Sequence, residues 1–177
     1  MSMIMDDFKV QLLTEKESIL FFELINKNKN RLEDFFAGTV KYTQTLQDTE
    51  EYCKKVDVRV EEKTYYPYLI IDKKLGKAIG FIDFKNIDWD VPKAELGAFI
   101  DVSYEGKGII TQSFNYILEN TVKKHQFKKL FCRISKENTR SINLALRCGF
   151  EQEGVLRCDY RTTKGELVDL NYYGRLF

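Results

Sequence analysis

The stretch "AELGAFIDVSYEGKGIITQSF" (94–114) constrains the fold more than any other part of the chain. It leads from a short apolar strand into a helix through two glycines one residue apart, Gly106 and Gly108. Backbone N–H groups at a helix N-terminus have no intrahelical acceptor, and the helix dipole favours an anion there. Glycines let a phosphate approach the backbone without meeting a Cβ. The same shape also occurs as a plain α/β turn, so this stretch alone leaves a phosphate site and an empty structural turn both open.

The surrounding pattern says what kind of sheet the turn belongs to. "FKVQLL" (8–13) reads as a first strand, followed by a helix from Glu15 to about Asn26 that "NKNKN" (26–30) is expected to break. "RLEDFF" (31–36) starts a further short helix, "GTVKYT" reads as a loop, and Asp48 is the expected cap of a helix running to about Glu62. "YYPYLIID" and "KAIGFIDF" then form a hairpin around "KKLGK", and "AELGAFI" (94–100) is a third strand. After the glycine turn, Ile110, Phe114, Ile117, Leu118 and Val122 fall on one helical face. "KLFCRI" (129–134) is a strand, "NTRSINLALRCGF" (138–150) a helix capped by Asn138 and stopped by Gly149, and the chain closes with a hairpin around "TTKGE". The order β-α-α-β-β-β-α-β-α-β-β implies a mixed α/β fold with a mostly antiparallel sheet.

Size and charge narrow the function. A chain of 177 residues suits one domain spanning 1–177. Lys and Arg number 28 against 27 Asp and Glu, so the chain lacks the basic excess of a protein built for nucleic acid. The N-terminus is too short and too acidic for a signal peptide, and no apolar run reaches membrane-spanning length. The expected location is the cytoplasm, with no membrane partner. The four cysteines, Cys53, Cys132, Cys148 and Cys158, form no C-x-x-C pair and read as reduced thiols, and no metal site is expected. The one histidine, His125, reads as part of a solvated helix end.

Two phosphate motifs fail. No G-x-x-x-x-G-K-[ST] is present, and a G-x-G-x-x-G would need glycine at Thr111. What remains is strand, G-x-G turn, helix, strand, and a helix opening on Asn138. In "YEGKGIITQSF" and "NTRSINLALRCGFEQEGVLR" the chain resembles the GNAT acyltransferases, with their R/Q-x-x-G-x-G/A loop and N-x-x-S…GF…EG segment. Within them it is similar to the branch of ribosomal-protein N-terminal acetyltransferases. The resemblance covers nearly the whole chain. One departure stands out: Ser103 occupies the position of the family's first Arg or Gln.

The resemblance implies acetyl-CoA as co-substrate and an amine as acceptor. The acceptor is either a protein N-terminus or a small amine such as a polyamine or aminoglycoside, and a silent acyl-CoA-binding module is the alternative outside catalysis. It also implies backbone contacts from Phe99 and Ile100 to the pantetheine arm. The N–H groups of Gly106, Lys107, Gly108, Ile109, Ile110 and Thr111 would cradle the pyrophosphate, with Lys107 adding charge. Asn138 is either a helix cap or a side-chain contact to the cofactor, and Asn143 is a weaker contact. The tyrosine that many relatives carry in the last helix is replaced by Ala145. Ser141 is then the implied hydrogen-bond donor to the leaving thiolate, with a simple helix position as its bland reading. Glu95, just before the loop, is the implied general base, with a surface strand position as its alternative; Asp83 and Asp101 are lesser candidates. The segments 31–36 and 159–166 are expected to form the acceptor site, and a homodimer is a further implication of the family.

Overall fold

The computed structural model describes residues 3–4 and 7–177. Positions 1–2 and 5–6 belong to the N-terminal stretch read above against a signal peptide, and to that extent the reading lies outside the described residues. Eight strands form one sheet in the order β1-β2-β3-β4-β5-β6-β8-β7. The first five, β1 (Met3–Ile4), β2 (Phe8–Leu12), β3 (Tyr66–Asp72), β4 (Lys77–Asp88) and β5 (Lys93–Ile100), run antiparallel in chain order. β6 (Lys129–Ser135) is parallel to β5. The closing hairpin of β7 (Glu151–Arg161) and β8 (Leu167–Leu176) sets β8 antiparallel to β6. The β3–β4 turn is fixed by the Asp72 carboxylate, which accepts from the N–H groups of Lys74 and Leu75, and by Gly76 at φ +64°.

Helices cover both faces. α1 (Ser18–Leu32), α2 (Ala37–Lys41) and α3 (Leu46–Glu61) precede β3, and Phe21, Leu24, Ile25 and Cys53 pack with Leu69 and Phe81 of the sheet. On the other face lie α4 (Ile109–Ile117), a π-helical turn (Leu118–Val122), α5 (Lys123–His125) and α6 (Thr139–Arg147). The stripe read from the sequence is the one that packs: Ile110, Phe114, Ile117, Leu118 and Val122 are all buried, against Ile82, Phe84 and Leu130.

Local differences from the sequence reading have physical causes. α1 does not break at 26–30: Asn28 is buried, its side-chain amide donates to Leu24 O at 2.9 Å, and Leu32 reaches the core one turn later. The stretch 31–36 is therefore the end of α1 and a turn, and the short helix α2 forms over 37–41, where a loop was expected. Thr45, not Asp48, caps α3; Asp48 is the third residue of a reciprocal capping box. His125 is half-buried at its helix end rather than fully solvated. Its ring meets Tyr66 in a tilted contact at 4.4 Å and lies beside Trp89 and Phe127, and burial holds its pKa below the usual histidine value.

The β3–β4–β5 ladder is close enough to need glycine at one point. A Cβ on Gly80 would meet Ile70 Cδ1 at 2.9 Å and Phe99 O at 3.2 Å. The first contact is a movable side-chain end, but the second is backbone. Gly80→Ala is therefore expected to cost about 1–3 kcal/mol of stability, measured by urea unfolding.

Candidate active site

β5 and β6 pair over three residues only: Lys93 with Lys129, Ala94 with Leu130, and Glu95 with Phe131. Beyond that point they part, and Leu96 to Ile100 keep β4 as their sole ladder partner. The gap is a cleft of about 430 Å³ lined by both strands, α4, α6 and the β7–β8 hairpin. The Asp101 N–H donates to Ile79 O at 2.7 Å. Antiparallel alternation then turns the backbone groups of Phe99 and Gly97 towards β4, and those of Ala98 and Ile100 towards the cleft. Of the two residues expected to offer free backbone, Ile100 faces the gap and Phe99 does not; the position the sequence reading missed is Ala98. The Ile100 carbonyl is met at 3.4 Å by Arg31 Nη1 from α1.

The glycine turn lies at the end of β5. Gly106 (φ +73°) and Gly108 (φ +72°) both adopt the left-handed conformation, and a Cβ on Gly106 would point into open space. Among the described residues, the six consecutive N–H groups from Gly106 to Thr111 donate to no acceptor. This run of outward amides at the start of α4 is a ready anion cradle. Lys107 Nζ sits 4.9 Å from the centre of the Tyr104 ring. The turn is tethered by Glu105, which is ion-paired to Arg31 of α1 and Arg140 of α6. Those two guanidinium groups bring positive charge to the turn despite Ser103. Positions 31, 105 and 140 meet only through the fold, so no local motif announces them.

α6 opens on the far wall of the cleft. Asn138 Oδ1 accepts from the Ser141 N–H at 3.1 Å, so the cap is made, and the side chain also lines the cleft. Ser141, Leu144, Ala145 and Cys148 line it too, and the Ser141 hydroxyl has no protein partner among the described residues. Asn143 is exposed and does not line the cleft, because it lies on the solvent side of the helix. Burial pushes the Cys132 thiol up to about 12, so this cleft residue stays a neutral thiol.

Glu95 differs most from its expected role. It is 5% exposed, and Arg133 grips both of its oxygens at 3.2 and 3.0 Å. Asn86 adds a hydrogen bond at 2.7 Å, Lys85 stands at 3.9 Å, and Arg133 reaches on to Asp159 at 2.7 Å. A carboxylate held this way is a brace across the parting strands rather than a free base. Asp101 is also committed. Burial raises its pKa, but Lys27, Ser103 and Asn28 more than offset this and hold it below the usual range. Asp83 is different: burial pushes it up, against the pull of Lys85 and a hydrogen bond from Tyr65. Tyr160 of β7, within the 159–166 segment expected at the acceptor site, lines the cleft with a buried hydroxyl that finds no partner among the described residues.

A second cavity of about 670 Å³ opens between α2, α3 and the sheet. It shares Phe35, Phe36, Lys85 and Tyr160 with the cleft, so the two adjoin. Among the described residues, no group of three or more His, Cys, Asp or Glu side chains is placed to hold a metal, and no helix is long and apolar enough to cross a membrane.

The family model "Acetyltransferase (GNAT) domain" matches residues 11–151. The "Ribosomal-protein-serine acetyltransferase" of Escherichia coli (strain K12) is 28% identical over 157 residues, covering 88% of this chain and 84% of that protein. Two solved structures share the fold. The ribosomal-protein-S5-alanine acetyltransferase of Vibrio fischeri has a TM-score of 0.90 at 16% identity, covering 99% of this chain and 96% of its own. A ribosomal L7/L12 α-N-protein acetyltransferase in complex with coenzyme A has a TM-score of 0.89 at 20% identity, covering 99% and 97%. The open strand edge, the unpaired amides and the family match converge: the chain belongs to the GNAT acetyltransferase family and is an acetyl-CoA-dependent N-acetyltransferase.

Proposed function

We propose that this chain acetylates the α-amine of a polypeptide N-terminus, with acetyl-CoA held in the β5–β6 cleft. The observation that carries the cofactor half is the run of six partnerless amides beside a strand edge with free backbone groups. The acceptor half is supported by similarity to a ribosomal-protein-serine acetyltransferase over 88% of the chain, a span that includes acceptor-side elements as well as the cofactor loop.

Bound there, acetyl-CoA supplies the acetyl group as a thioester. The amides of Gly106 to Thr111 hold its pyrophosphate, with Lys107 adding charge. Ala98 and Ile100 offer hydrogen bonds to the pantetheine arm, the latter once Arg31 yields its carbonyl. Asn138 fixes the start of α6 and so aims Ser141 at the cleft, where its hydroxyl donates to the leaving sulfur. Burial pushes the Cys132 thiol up to about 12, so that residue lines the cleft as a neutral thiol. An α-amine, with a pKa of about 8, is partly unprotonated at neutral pH, which eases the demand on a base in this site.

The test is thiol release from acetyl-CoA by purified protein given ribosomal-protein N-terminal peptides, spermidine or an aminoglycoside. Release with the peptides is expected; release with spermidine or the aminoglycoside alone, or with none, contradicts the acceptor assignment. Gly106→Val forces a branched side chain to φ +73° where the anion must approach. It is expected to weaken coenzyme A binding by roughly tenfold or more in calorimetry. Ser141→Ala is expected to lower kcat by on the order of ten- to a hundredfold with coenzyme A affinity kept, since a hydrogen bond to a charged group contributes about 1.5–3 kcal/mol. Glu95→Gln weakens the brace on Arg133 and is expected to cost about 2–3 kcal/mol in urea unfolding, while turnover persists.

A further inference from the structure

Among the described residues, three side-chain polar atoms are buried without a hydrogen-bond partner: Asp83 Oδ1, Ser113 Oγ and Tyr160 OH. An unpaired carboxylate oxygen is the costliest of these to bury. Asp83 is 3% exposed, and it stands opposite Gly97 in the β4–β5 ladder. A Cβ on Gly97 would lie 2.4 Å from Asp83 Oδ1 and 3.3 Å from the Phe36 ring. Glycine is required here for room rather than for φ. The carboxyl therefore leans across β5 over Gly97, which lines the cleft, while Asp83 itself lines the second cavity that adjoins the cleft.

The other oxygen is taken. Tyr65 OH donates to Asp83 Oδ2 at 2.9 Å, and the Tyr52 and Tyr65 hydroxyls stand 3.2 Å apart. Burial pushes Tyr52 up to about 12 and Tyr65 upward as well, so both keep their protons. Arg59 of α3 stacks over the Tyr65 ring at 4.2 Å. The charged and titratable groups facing Asp83 are thus Lys85 on its own strand, Glu95 on β5, Tyr65 before β3, and Tyr52 and Arg59 on α3; the α1–α2 junction offers only the Phe36 ring. Tyr65 fixes Oδ2; Oδ1 lies over the Gly97 backbone, which draws the carboxyl pKa down, yet it makes no hydrogen bond of ordinary geometry among the described residues.

We propose that Asp83 takes the proton from the acceptor's ammonium group, an assignment that rests on the N-acetyltransferase reading above. The ammonium N–H bond breaks and its proton passes to Asp83 Oδ1. The nitrogen lone pair forms the N–C bond to the thioester carbonyl. The C–S bond then breaks, the sulfur leaves with that electron pair, and it takes the second proton the nitrogen sheds. Asp83 returns its proton to solvent after product release. Burial supports the role by bringing the carboxyl closer to the acidity of an ammonium group.

The test compares Asp83→Asn with wild type, using acetyl-CoA and a ribosomal-protein N-terminal peptide at pH 7 and pH 9. The expected result is a loss of about a hundredfold in kcat/KM at pH 7. Much of it should return at pH 9, where the amine deprotonates unaided, and acetyl-CoA affinity should be unchanged. An unchanged rate at pH 7, or an equal loss at both pH values, overturns the assignment while leaving the acetyltransferase reading intact. Tyr65→Phe removes the hydrogen bond that pulls Asp83 down, so the acidic limb of kcat/KM should move to higher pH; an unmoved limb also overturns it. The carboxyl 13C resonance of Asp83 reads the group without turnover. A midpoint above the ordinary carboxylate range is expected, and one within that range refutes the role. A wild type that binds acetyl-CoA and acetylates none of the peptide, spermidine or aminoglycoside probes removes the catalytic reading and this assignment together.

Discussion

The parting of β5 from β6 is the constraint on which the rest of the site depends. A ladder that continued past Glu95 and Phe131 would pair Ala98 and Ile100 with β6 and close the cleft. Buried backbone groups normally find partners, so an open edge inside a sheet has to be supported from elsewhere. The support is the ion pair of Glu95, the last paired residue of β5, with Arg133, two residues past the last paired residue of β6; it extends to Asp159 in β7. The charges hold the wedge open at a fixed width and also tie the terminal hairpin to it. A buried ion pair is a weak source of net stability but a directional one, which is what a fixed gap requires.

The environment separates two carboxyl groups that the sheet brings side by side. Asp83 and Glu95 sit on adjacent strands, on the same face, one cross-strand step apart. Glu95 is held by Arg133, Asn86 and Lys85, whereas Asp83 has tyrosine on one oxygen and no partner on the other. The first geometry suits a brace and the second suits proton exchange, and the difference comes from neighbours rather than residue type. Gly97 makes the second possible, because any side chain there would displace the Asp83 carboxyl.

The parts of the site legible in the sequence were those encoded by local chemistry. Gly106 and Gly108 announce the turn, Asn138 the start of α6, and the Ile110–Val122 stripe the buried face of α4 and the π-helical turn after it, because each depends on residues within a turn or two of itself. The parts that escaped depend on distant partners. Asn28 continues α1 through a polar run because it is buried against Asp101, 73 residues away. Glu95 reads as a base until Arg133 is seen to grip it. Phe99 and Ala98 exchange roles through ladder parity, which a sequence does not reveal without its register. Arg31 and Arg140, which converge on Glu105 beside the phosphate turn, are separated by more than a hundred residues.

The most direct measurement on the cofactor site is the change in backbone amide NMR shifts on adding coenzyme A to the isotope-labelled protein. The expected result is a large perturbation of the amides of Gly106 to Thr111, with Ala98 and Ile100 moving more than Phe99 and Gly97, because only the former pair faces the gap. Saturable binding that leaves the Gly106–Thr111 amides unmoved, or that perturbs Phe99 in preference to Ala98, would contradict the open-edge geometry and the anion cradle together.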